Sequence, residues 1–271
     1  MTIDEPELIG RDGRIRVRDY HPEHRSARTA LLWVHGGGFA FGGLDMKESD
    51  APARALAAAG TFVRTIDYRL APRVGFVRPV NLAAHAGRFP AGLHDVIDAA
   101  LALASLEQRP ISIGGASAGA NLAAAATLSL RDAHSTMPRS LALAYGAFHL
   151  PVPTNPSVED ALRGPLARWN FNPKIVHKIA LNYVGDANLL RPGYAFPGGM
   201  DLSGLPPTLV LDASNDRLRA SGHAFADELR GADIEVHESV VTGMHGFLGA
   251  TRSRSFSDGM RQLGAWLSDH D

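Results

Sequence analysis

The chain is predicted to fold as α/β, with a mainly parallel central sheet and helices on both faces. Three observations predict it. Short apolar runs alternate with longer segments of helical periodicity along most of the chain. The apolar runs are continuous rather than alternating, as in strands covered on both faces. Glycine-rich or turn-rich sequences bearing polar side chains follow directly on those runs. In sheets of this kind ligand sites lie beyond the carboxyl ends of the strands, so these turns are where function is to be sought.

Taken in order, Arg14 to Tyr20 alternates polar and apolar residues, as a half-buried or edge strand does, and begins after only about ten residues. Ala30 to Val34 is a buried strand running into His35-Gly36-Gly37-Gly38-Phe39. Ser49-Asp50-Ala51-Pro52 opens a helix that Gly60 closes. The strand Thr61 to Ile66 leads into Asp67-Tyr68-Arg69-Leu70-Ala71-Pro72. Residues 73–88 form an irregular loop rich in glycine, proline and the basic side chains Arg73, Arg78, His85 and Arg88. Leu93 to Leu106 is helical, and Pro110 breaks the chain before the strand that starts at Ile111. After a helix over Asn121 to Leu130 comes a strand over Ser140 to Tyr145. The rhythm then fails over about 151–186, where five prolines and Trp169, Phe171 and Tyr183 stand among helical fragments. It resumes with the strand Leu205 to Leu211, a helix over Ala220 to Arg230, the strand Ile234 to Val241 and an amphipathic helix from Ser255 to Leu267.

Composition bounds the rest. No repeat, low-complexity tract or linker divides the 271 residues, so 1–271 is expected to be a single domain with an insertion at about 151–186. A net charge of −1 gives no global electrostatic reason to expect nucleic acid or an acidic membrane surface. Zero cysteines exclude disulfides and thiol chemistry. Met1-Thr2-Ile3-Asp4-Glu5-Pro6 is no signal sequence, and no apolar run approaches the roughly 18 residues of a spanning helix. A cytoplasmic protein without membrane insertion is expected, and the sequence is compatible with a homodimer. With no metal-ligand cluster, no Walker spacing and no ribose-binding acid behind the glycines, neither a metal nor a cofactor is expected.

The chemistry is concentrated at three strand ends. Gly115-Ala116-Ser117-Ala118-Gly119 fits the strand–turn–helix pattern that holds a serine hydroxyl clear of a sheet, although a helix N-cap is the alternative reading of Ser117. A serine hydroxyl needs a base, a group to orient that base and donors for an oxyanion. Ser117, Asp216 and His245 each follow a predicted strand, in the order Ser, Asp, His. Asp216 alone could be a helix cap and His245 a turn residue; the conjunction carries the weight. The glycines after His35 can bring N–H groups close to a ligand, as an oxyanion hole, a phosphate cradle or a plain loop.

With these residues in view, the chain resembles the hormone-sensitive-lipase branch of α/β-hydrolase esterases, also called α/β-hydrolase-3. The matching segments are His35-Gly36-Gly37-Gly38, Asp67 to Pro72, Phe89-Pro90-Ala91, Gly115 to Gly119 with Asn121-Leu122-Ala123, Leu205-Pro206-Pro207, Asp216 and His245-Gly246-Phe247. The resemblance implies an α/β-hydrolase fold with Ser117 as nucleophile, His245 as general acid and base and Asp216 as its orienting carboxylate. It implies an oxyanion hole from the N–H groups of Gly37, Gly38 and Ala118, with His35 bracing the loop. The pattern departs at Ala116, where the family usually has an acid, at Ala120 and over Arg217-Leu218-Arg219-Ala220, where acidic partners are missing. The short start implies a reduced cap, and the 73–88 loop is expected either to replace it in part, with Phe76, Val77 and Val80 toward the pocket, or to be a solvated surface loop. Phe39, Trp169, Phe171, Tyr183 and Phe247 are the candidate pocket walls. The expected function is a serine carboxylesterase acting on small, short-acyl esters through an acyl-enzyme. An amidase such as an arylformamidase, a lactonase, a ligand receptor on the same scaffold and a catalytically silent interaction protein are the alternatives; His245 counts against the receptor.

Overall fold

The computed structural model describes residues 1–24, 30–73, 75, 80–82, 86–108 and 111–271. Phe76, Val77, Arg78, His85 and Pro110 therefore lie outside the described residues. Nine strands form one sheet: β1 (Thr2–Asp4), β2 (Glu7–Gly10), β3 (Gly13–His21), β4 (Ala30–Val34), β5 (Val63–Asp67), β6 (Ile111–Ala116), β7 (Leu141–Ala144), β8 (Thr208–Asn215) and β9 (Val236–Met244). Their order is β1-β3-β5-β4-β6-β7-β8-β9, with β2 also paired to β3. From β5 to β9 every pairing is parallel, while β1, β2 and β5 meet β3 antiparallel. The strands β1 and β2 are too short and too exposed to have shown an apolar pattern, and they fill the ten or so residues before the first expected strand.

The apolar strands divide their side chains by the period of two. Ala30, Leu32 and Val34 of β4 face one core with α2 (Ala91–Glu107), α3 (Ala118–Asp132) and α7 (Arg219–Gly231). Leu31 and Trp33 face a second core with α1 (Lys47–Ala58) and α8 (Arg254–Asp269). A sheet covered on both faces explains why its strands read as unbroken apolar runs. The strand order reverses between β4 and β6, and at such a reversal a crevice opens at the carboxyl ends. The loop after His35 and Ser117 both stand there.

The segment between β7 and β8, where an insertion over about 151–186 is expected, contains α4 (Pro156–Ala161), α5 (Gly164–Trp169) and α6 (Pro173–Val184). Each has proline in its first turn, where the missing N–H costs nothing. Arg217 holds Glu159 with two hydrogen bonds of 2.7 and 2.8 Å and donates to the Arg168 carbonyl. The Asn215 amide exchanges two hydrogen bonds with the Arg163 backbone. On its other side this segment meets the chain around the 73–88 loop, where Asn182 donates to the carbonyl of Pro72, just before the loop, and Lys178 to the Gly75 carbonyl within it.

Candidate active site

Ser117 sits at the turn between β6 and α3 with φ at 55°, a region rarely visited by non-glycine residues. The turn is possible because of its neighbours. A Cβ on Gly115 would stand 2.5 Å from the Gly119 carbonyl group, and one on Gly119 would overlap the Val34 carbonyl. The Ser117 hydroxyl makes no cap hydrogen bond to α3, so the N-cap reading does not describe it.

The hydroxyl lies instead 2.9 Å from His245 Nε2, and His245 Nδ1 lies 2.6 Å from Asp216 Oδ2. The Nδ1–H donates to Asp216, which leaves Nε2 to accept from Ser117. Asp216 does two things, since its Oδ1 also accepts the Leu218 N–H at 3.0 Å and caps the turn into α7. Ser117 and Asp216 are buried, and the His245 side chain is 13% exposed. Burial pulls the imidazole down, but the charge and hydrogen bond of Asp216, with the charge of Glu48, outweigh it and hold His245 above its ordinary value.

Gly37 and Gly38 face Ser117 across the crevice, both with positive φ. A Cβ on Gly37 would run into the Phe41 carbonyl. Among the described residues, no backbone hydrogen bond engages the N–H of Gly37, Gly38 or Ala118. Three free donors beside a hydroxyl on a neutral base can receive the oxyanion that attack on a carbonyl creates. His35 is fully buried, its Nδ1 2.7 Å from the Gly36 carbonyl oxygen and its ring stacked on Tyr68 at 4.4 Å. Burial lowers its pKa, so it stands neutral under the glycine loop as a brace.

The cavity above Ser117 has a volume of about 730 Å³ and is mostly apolar. Phe39 and Phe171 line it, both with left-handed backbone (φ 62° and 51°), and the Phe171 ring lies 4.4 Å from the His245 ring. Three other expected walls lie elsewhere. Tyr183 is buried behind Phe39, stacked on it at 3.8 Å, so it supports the wall without forming it. Phe247 turns inward, 5.0 Å from the Tyr145 ring in the α1–α8 core. Trp169, at the end of α5, is 54% exposed, and the next residues Asn170 and Phe171 reach the cavity in its place. Val80 is half-buried and does not line the cavity, whereas Gly75 does.

Sequence reasoning missed Ile175, Ile179, Lys174 and Lys178 along α6, Phe196, and Lys47 and Glu48 at the start of α1. The spacing of the α6 residues is visible in the sequence as one helix face, but nothing in it says that the face looks into a cavity. Two groups of side chains with metal-ligand potential occur among the described residues, Asp4–Asp19–His21 and His223–Asp227–Glu238, both outside the cavity. Asp19 already holds Arg64, and Glu238 holds Arg230.

A hydroxyl, imidazole and carboxylate in series, on a sheet of this order, define a serine hydrolase of the α/β-hydrolase fold. The sequence agrees over its length: residues 31–249 match the α/β-hydrolase-3 family, described as an alpha/beta hydrolase fold, and the chain belongs to that hormone-sensitive-lipase-like esterase family. It is 30% identical to a carboxylesterase of Mycobacterium tuberculosis, over 90% of this chain and 75% of that one. It is also 30% identical to an ethyl acetate hydrolase of Pseudomonas putida, over 90% and 77%. An esterase of Pyrobaculum calidifontis superposes with a TM-score of 0.83 at 28% identity, covering 99% of this chain and 85% of that one. Among the described residues, no helix is long and apolar enough to cross a membrane.

Proposed function

We propose that the protein is a carboxylesterase that hydrolyses small, neutral, short-acyl esters through an acyl-enzyme on Ser117. The observation that carries this reading is the hydrogen-bonded series Ser117–His245–Asp216 opening into an apolar cavity. In the first half-reaction His245 Nε2 takes the Ser117 proton as Oγ attacks the ester carbonyl. The oxyanion is received by the N–H groups of Gly37, Gly38 and Ala118, and Asp216 stabilises the imidazolium. Collapse expels the alcohol, which takes its proton from His245. Water then repeats the sequence on the acyl-enzyme and restores Ser117. The likeness to an ethyl acetate hydrolase supports a short acyl group, and the cavity as a whole has room for both limbs of an ester.

The test is hydrolysis of p-nitrophenyl esters from acetate to decanoate by the wild type and by Ser117→Ala. A rate that peaks at a short chain and vanishes in the variant is the expected result. Inactivity of the wild type on every ester would refute the reading and direct attention to formamides and lactones, which the same three groups could cleave.

A further inference from the structure

Ala116, where the resemblance implies an acid before the nucleophile, is fully buried in the core with Tyr145, Phe247 and Leu248. A different carboxylate occupies this region. Glu48, the second residue of α1, is 7% exposed, and its Oε1 accepts a hydrogen bond of 2.8 Å from the Tyr145 hydroxyl. A Cβ built on Gly36 would stand 2.7 Å from Glu48 Oε2 and 3.1 Å from both the Ala116 carbonyl oxygen and Ser117 Cβ. One built on Gly246 would stand 3.3 Å from Glu48 Oε1. The carboxylate is therefore wedged between the glycine loop, the serine turn and the His245 loop, at the edge of the cavity.

We propose that Glu48 is a positioning residue for His245, supplying from α1 the negative charge that the serine turn lacks. This rests on the reading of His245 as the general base. Among the described residues, no lysine or arginine forms an ion pair with Glu48, and its charge acts on His245. The charged and titratable groups against His245 are Asp216 from the β8 loop, Glu48 from α1 and Tyr145 after β7, whose ring lies 4.9 Å away, and Lys47, beside Glu48 on α1, lines the same cavity. Tyr145 stays a neutral donor, since burial, then the charge and hydrogen bond of Glu48, push its phenol well up. Two carboxylates thus face one imidazole, Asp216 by direct contact and Glu48 through space. In a site of low effective dielectric, a charge at that range favours the imidazolium without touching it.

The experiment reads His245 directly. Its imidazole titration is followed by NMR in the wild type and in Glu48→Gln, with the signal identified by its loss in His245→Asn, beside pH profiles of kcat/KM. The expected result is a fall in the His245 pKa of about half a unit or more, the same displacement of the acidic limb, and a loss in kcat of about three- to tenfold with KM within about twofold. Adding Ala116→Glu to Glu48→Gln should return the titration toward the wild-type value. If Glu48→Gln does not fold, Glu48→Ala/Ala116→Glu against Glu48→Ala/Ala116→Gln makes the same comparison of charge at equal shape. An unchanged His245 titration in a folded charge-neutral variant overturns the proposal. The NMR arm needs no substrate, so a failure of the esterase reading would show in the ester panel and not here.

Discussion

Replacing Asp216 by Asn should separate orientation of the base from support of the fold. In the wild type, Oδ2 takes the His245 Nδ1–H and Oδ1 takes the Leu218 N–H. Asparagine can keep the second bond through its carbonyl oxygen but turns an NH₂ donor toward Nδ1. The imidazole then carries its proton on Nε2, and Ser117 has no base. Loss of the orienting carboxylate in this way costs on the order of 10⁴ in kcat in a Ser-His-Asp hydrolase, about 5.5 kcal/mol of transition-state stabilisation. Stability should change by less than about 1 kcal/mol, since the cap survives, whereas Asp216→Ala leaves the Leu218 N–H unpaired and should lose a further ~1–3 kcal/mol. The acidic limb should also move. Activity needs neutral His245, and Asp216 is the main reason that its pKa lies above the ordinary value, so residual activity in Asp216→Asn should persist to lower pH than in the wild type. Ester hydrolysis across pH and urea unfolding of both variants are the assays. An Asn variant keeping more than about a tenth of wild-type kcat, against the expected 10⁴-fold loss, or Asn and Ala variants equally destabilised, would refute the reasoning.

Two predictions concern stability. Asp212 on β8 is fully buried with both carboxyl oxygens unpartnered among the described residues, and burial, then the charge of Asp216, push its pKa well up. An acid raised in the folded state contributes its stability below the ordinary carboxylate range and loses it as pH rises. Asp212→Val should therefore stabilise by ~1–3 kcal/mol near pH 8 and gain little near pH 4, as measured by urea unfolding; equal gains at both would refute it. Arg64 and Asp19 form a buried pair, both hydrogen bonds 2.6 Å and each side chain about 95% buried. Arg64→Met leaves that carboxylate alone and should cost ~3–5 kcal/mol, about 10 °C in Tm for a chain of this size, read by thermal melting.

The strand ends were legible because each required chemistry that few sequences supply. Ala30 to Val34, Ile111 to Ala116 and Leu141 to Ala144 are apolar on both faces, and turns of unusual composition follow the first two. Such segments announce both their burial and their ends. The strands β1 and β2 were not legible, since pairing to β3 is a tertiary choice that short polar segments do not encode. Tyr183, Phe247 and Trp169 stand away from the cavity for a related reason. Phe39 and Tyr183 are both aromatic and both close to the site, but which of two stacked rings faces the cavity is a matter of tertiary packing, and Phe39 faces it with a left-handed φ of 62°. Phe247 follows His245 by two residues and points the other way, into the α1–α8 core.

The departures around Asp216 acquire a physical meaning once the insertion is in place. Arg217, in the stretch where the pattern departs, clamps Glu159 and the Arg168 carbonyl, and Asn215 clamps the Arg163 backbone. The residues on either side of Asp216 thus fasten the insertion to the loop that orients the base. Beyond them, Ser221, at a position near the missing acids, accepts the Phe148 and His149 N–H groups through its hydroxyl. A neutral acceptor there satisfies these backbone groups without adding a charge to the interior. The site therefore holds few negative charges but holds them where the imidazole can use them: Asp216 in contact with it and Glu48 behind it.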